Sequence, residues 1–151
     1  MSFPIALQVY SVRAEASKNL YATLKEIKRM GYDGVEFAGF DGHSAEEVKA
    51  MLAETGLTAI SSHVALQLIR EDPFGVISYH KAIGCNVLII PAYHNQDEEA
   101  SLEATIAAMN YAEPILKEAG IRLAFHNHSG EFEVKPFGKR IFDELYHRTN
   151  I

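Results

Sequence analysis

The sequence predicts an α/β fold: an incomplete (β/α)8 barrel of about five βα units built on one parallel sheet. Three observations carry this expectation. Short apolar runs alternate with segments of helical period five times along the chain. Three helical segments pass through Gly directly into the next apolar run, at Met30-Gly31-Tyr32, Thr55-Gly56-Leu57 and Ala119-Gly120-Ile121, which is the tight αβ turn of a repeating unit. Polar residues also stand at the ends of the apolar runs: Gln8 and Tyr10, Glu36, His63, His94, then His126 and His128. A parallel α/β sheet binds its ligands at these carboxyl ends.

Each element follows from local signals. Residues 5–10 form a first strand, and residues 20–30 a helix with Leu20, Leu24, Ile27 and Met30 on one face, closed by Gly31. Residues 33–37 form the second strand. Ser44, with Glu47 three positions later, has the spacing of a capping box and starts a second helix that Gly56 ends. Residues 57–64 form the third strand, and Pro73 stands near the start of a helix running to about Ile83. Residues 86–91 form the fourth strand. A long helix over residues 98–119 contains Pro114, which is expected to kink or divide it. Residues 121–127 form the fifth strand and residues 139–146 the last helix. With units of about 29 residues, eight would need roughly 230, near the ~250 of a closed barrel, so the 151 residues hold five. No linker interrupts them, and residues 1–151 read as a single partial-barrel domain.

Strand parity sorts the polar tips by face. Ala6, Gln8 and Tyr10 share one side of the first strand, and Gly34 and Glu36 one side of the second. Ala59, Ser61 and His63 share one side of the third; Ala124, His126 and His128 share one side of the fifth. The opposite sides carry bulky residues suited to packing under helices. The polar sides therefore converge on one pocket. His94 lies three residues past the fourth strand, without an assigned face. His43, His80 and His147 sit on or beside helices and read as surface residues, and Cys85 as a buried apolar one.

Composition narrows the function classes. A formal net charge of -6 argues against a nucleic-acid backbone as partner. A single cysteine excludes an intrachain disulfide and suits a cytoplasmic location. No stretch approaches the ~20 apolar residues of a membrane span.

The segments Leu7-Gln8-Val9-Tyr10-Ser11-Val12-Arg13, Gly31-Tyr32-Asp33-Gly34-Val35-Glu36-Phe37, Ser62-His63 and Gly120-Ile121-Arg122-Leu123-Ala124-Phe125-His126-Asn127-His128 resemble the xylose-isomerase-like TIM-barrel family of sugar and sugar-phosphate isomerases and epimerases. The resemblance implies a sugar substrate, a divalent metal (Mn, Mg, Co or Zn) and proton transfer through an enediolate. It makes Glu36 and His126 the catalytic candidates, with His126 also the candidate metal ligand. Gln8, Tyr10, His63, His94, His128 and Glu131 become substrate-binding candidates. Ser129 and Gly130 depart from the acidic and aromatic residues usual after the His-Asn-His pattern. The family's Asp, His and Glu on strands six to eight have no counterpart among these residues, so the implied metal site is incomplete. Five strands also leave sheet edges open, which favours a homodimer or larger oligomer. The alternative is a non-catalytic, self-associating remnant of such an enzyme. Endonucleases of the same superfamily offer a third reading, which the acidic balance opposes.

Overall fold

The capping box expected at Ser44 forms: its Oγ accepts from the Glu47 amide at 3.2 Å, and Glu47 accepts from the Ser44 amide at 2.7 Å. The helix it starts, Ala45–Thr55, ends at Gly56, whose φ of 66° belongs to the left-handed region that favours glycine. Such local signals repeat along the chain. The computed structural model describes residues 3–91 and 96–151.

Five parallel strands form one sheet in sequence order. They are β1 (Ala6–Gln8), β2 (Gly34–Phe37), β3 (Thr58–His63), β4 (Val87–Ile90) and β5 (Arg122–Phe125). Seven α-helices are described: α1 (Arg13–Ala16), α2 (Leu20–Arg29), α3 (Ala45–Thr55), α4 (Leu66–Glu71), α5 (Pro73–Ala82), α6 (Glu99–Glu118) and α7 (Ile141–Arg148). The architecture is a partial barrel, as the unit count predicts. Among the described residues no helix is long and apolar enough to cross a membrane.

Parity explains where the core lies. Val35, Phe37, Ser62, Leu88, Ile90 and Leu123 are all buried, on the side of the sheet that the helices cover. One core cluster joins β1 and β2 to α2 and α3 through Leu24, Ile27, Val48 and Leu52. A second joins β4 and β5 to α6 and α7 through Leu102, Met109, Leu116, Ile141 and Leu145. The other side carries Gln8, Glu36, Ile60, Ser61 and His63.

Four local expectations are corrected. The first strand stops at Gln8, because its side-chain Oε1 accepts from the Tyr10 amide at 2.8 Å and turns Val9–Val12 into a 3-10 helix. The helix α4 precedes Pro73, so the third unit has two helices; Asp72 links them, capping α5 through the Gly75 amide at 2.8 Å. Pro114 does not divide α6, since Asn110, whose carbonyl loses its usual donor, and Pro114 itself both face solvent.

The fourth concerns β3. Gly34 and Val35 align with Thr58 and Ala59, but Glu36 and Phe37 align with Ser61 and Ser62. The extra residue, Ile60, makes a bulge that breaks strict alternation. Ala59 consequently lies with Val35 in the helix-side core, rather than beside Ser61 and His63. Gly34 permits this local geometry: a Cβ there would lie 2.7 Å from the Thr58 carbonyl oxygen and 3.0 Å from Ile60 Cγ2.

Candidate active site

The register places Gln8 beside Glu36, and the bulge places Ser61 on the other flank of Glu36. Three neighbouring strands thus present one polar row. Gln8 Nε2 donates to Glu36 Oε1 at 2.5 Å, and Ser61 Oγ donates to Glu36 Oε2 at 2.5 Å. Two donors on two different oxygens fix the carboxylate plane. His63, two residues beyond Ser61, brings Nε2 to 3.1 Å from Glu36 Oε1 and 3.3 Å from Gln8 Nε2.

The imidazole of His63 is only 13% exposed and the Glu36 side chain 22%. Burial holds His63 below its ordinary pKa, and the nearby His126 pushes the same way, while Glu36 opposes them. His63 is therefore neutral near pH 7. With its Nε2–H toward Glu36, the ring keeps Nδ1 as a proton acceptor.

Histidines from the fifth unit extend the cluster. The His126 amide donates to the Ile90 carbonyl at 2.9 Å, carrying the sheet pairing just past β5. Its ring centroid lies 5.1 Å from that of His63, and 4.7 Å from that of His128. The loop holding His128 is anchored from within: Glu131 has no exposed surface, accepts from the His128 amide at 2.8 Å, and accepts from Gln96 Nε2 at 3.0 Å. Lys135 donates to Gln96 Oε1 at 3.2 Å. Glu131, a substrate-binding candidate in the sequence, is thus engaged in holding the loop.

Tyr10 stands on the 3-10 turn, 58% exposed, with the Arg13 guanidinium 4.4 Å from its ring centroid. It borders a pocket of about 670 Å3 that also reaches His63, and whose walls include Phe40, Val64, Leu68, Tyr79 and His80. His80 corrects its sequence assignment as a surface residue, being only 3% exposed. Its one signal lay in the spacing: Val76, His80 and Ile83, the last at the C-cap of α5, stand at helical intervals. Gln96 and Lys135 gave no such signal, since only the folded loop joins them to Glu131. His94 lies outside the described residues.

A family model described as a xylose isomerase-like TIM barrel matches residues 24–145. The chain belongs to this family. The family's fold recurs in two solved structures from Parabacteroides distasonis, each described as a sugar phosphate isomerase/epimerase. One is 26% identical with a TM-score of 0.83, over 99% of this chain and 66% of that one. The other is 23% identical with a TM-score of 0.81, over 97% of this chain and 62% of that one. The chain therefore spans somewhat less than two thirds of the length of these relatives. A xylose isomerase-like TIM barrel protein from Mycobacterium smegmatis in complex with magnesium shares the fold at 14% identity and a TM-score of 0.60, over 82% of this chain and 55% of that one. No curated protein matches the chain significantly.

The cluster does not fit a resident metal by itself. Among the described residues no group of three or more His, Cys, Asp or Glu side chains could hold an ion. Both Glu36 oxygens are committed to hydrogen bonds, and a lone His126 falls short of the three or four protein ligands of a stable site.

Proposed function

We propose that this chain supplies the proton-transfer half of a sugar or sugar-phosphate isomerase or epimerase site. The observation that carries the reading is the Gln8–Glu36–Ser61 row with His63 against it. Family membership and the isomerase/epimerase relatives support the substrate class. Glu36 orients His63 and accepts positive charge beside it when the ring takes a proton. His63 removes the proton from the carbon next to a substrate carbonyl and returns it at the neighbouring position. General acid–base catalysis of this kind contributes about 10²–10⁴-fold.

His126 and His128 serve as donors to the carbonyl oxygen as negative charge develops there, and Tyr10 forms a wall of the pocket. Glu131 acts through His128 as a positioning residue. A divalent cation, if the assembled site takes one, would polarise the same carbonyl; His126 is the residue of this chain that would meet it. A cytoplasmic location remains our expectation from the single cysteine.

The edges of the sheet support association with a second copy. Within the described residues β1 and β5 each pair on one side only, and Ile5, Tyr10 and Ile60 leave 63%, 58% and 46% of their surface exposed. The same open face favours a second reading, a self-associating partial barrel without turnover. Incubation of the protein with a panel of aldoses, ketoses and their phosphates, with and without Mn²⁺, separates the two. Interconversion that disappears in Glu36→Gln supports the enzyme; unchanged sugars throughout support the second reading.

A further inference from the structure

We propose that the pocket bordering His63 receives the non-sugar part of a glycoside: a flat apolar ring carrying a hydroxyl group. This rests on the sugar reading above and specifies its substrate class. The pocket's volume of about 670 Å3 is within the range that encloses a small organic ligand. Its two ends differ in chemistry. His63 and Tyr10 border the polar cluster, whereas Phe40, Val64, Leu68 and Val76 offer no hydrogen-bonding side-chain atoms to sugar hydroxyls.

The apolar end is built from rings. Phe40 and Tyr79 have centroids 4.5 Å apart, and Phe37 lies 5.0 Å behind Phe40. The Tyr79 hydroxyl is already spent as a donor to the His43 carbonyl at 2.8 Å. Such a surface favours a flat apolar partner. A phosphate is disfavoured: no Lys or Arg is among the described lining residues, and Asp72 stands at the wall.

His80 adds the hydroxyl. Its Nδ1 lies 2.7 Å from the Val76 carbonyl oxygen, which can only accept, so Nδ1 carries the proton and Nε2 is left as an acceptor. That Nε2 is the buried side-chain atom without a partner among the described residues, in a side chain that lines this pocket. Nε2 has essentially no exposed surface, so a ligand O–H would satisfy it only with a small shift of the ring that brings this atom to the pocket surface.

The test is equilibrium binding by ligand-observed NMR and calorimetry, using methyl, phenyl and 4-hydroxyphenyl β-D-glucopyranoside, glucose 6-phosphate and free hydroquinone. The phenyl glucoside is expected to bind about tenfold more tightly than the methyl glucoside, from ring burial. The 4-hydroxyl should add a further gain of about three- to tenfold that His80→Leu abolishes. Leu68 is 54% exposed, so Leu68→Asp keeps the fold and should remove the ring's advantage over the methyl glucoside. Equal affinities for methyl and phenyl glucosides, or a ring advantage that survives Leu68→Asp, would overturn the proposal and leave the sugar reading standing. Tighter binding of glucose 6-phosphate than of either aryl glucoside would also overturn it. Hydroquinone binding that Leu68→Asp abolishes, with no glucoside bound, would overturn the glycoside assignment and the sugar reading together, leaving only a ring pocket.

Discussion

His63 Nε2 lies 3.1 Å from Glu36 Oε1, yet the imidazole is held below its ordinary pKa because burial outweighs the carboxylate's attraction. The titration of His63 should therefore have its midpoint below 6.5. Replacing Glu36 by Gln removes a group that raises the pKa, so the midpoint should fall further. The folded state binds less proton than the unfolded chain in this window; the contribution to stability is complete above 6.5 and is lost as pH falls through that value toward the folded midpoint. Imidazole carbon–proton NMR resonances followed from pH 4 to 8 would check this. A midpoint above the ordinary value would contradict the balance described.

Gly34 makes room for the site without contributing a side chain. Gly34→Val would push a branched group against the Thr58 carbonyl, 2.7 Å from where its Cβ must lie, and should cost about 1–3 kcal/mol in chemical denaturation. The displaced bulge should also separate Ser61 from Glu36. Loss of activity with unchanged stability would be the wrong result.

Glu131 is fully buried and holds the His128 amide and Gln96. Glu131→Ala leaves those two donors without their acceptor, and should cost about 2–4 kcal/mol. Amide hydrogen exchange at His128 should rise in step. Full protection of that amide in the variant would show that the loop is held by something else.

His80 is buried with one nitrogen unpaired among the described residues, and burial lowers its pKa. Because its folded pKa lies below 6.5, the neutral ring is favoured in the folded state, and stability is lost as pH falls through that value. His80→Leu should retain stability at pH 8 and unfold less readily than the parent at pH 5. Thermal melts at the two pH values measure this directly.

The strand order, the Ser44 capping box and the glycine stops were legible because each arises from residues close in sequence. Gln8, Glu36 and His63 were legible through strand parity, which needs only a period of two. Parity failed at Ala59 because a bulge depends on the neighbouring strand's lack of a side chain at Gly34. The 3-10 turn at Val9–Val12 was missed since apolar residues there continue the strand's pattern, while the deciding contact is one side-chain bond from Gln8. His80 was misread because a histidine on a helix usually reaches water; the packing of Phe40 over it comes from a distant loop, with centroids 5.6 Å apart.

Solvent deuterium exchange into a keto sugar tests the account most directly, since it detects proton removal even where the overall interconversion is slow. The protein, incubated in D2O with ketoses and their phosphates, should introduce deuterium at the carbon beside the carbonyl. The rate should fall at least about 100-fold in His63→Ala and in Glu36→Gln. Exchange that persists unchanged in both variants, or no exchange by the parent protein with any keto sugar, would contradict the assignment of this cluster to proton transfer.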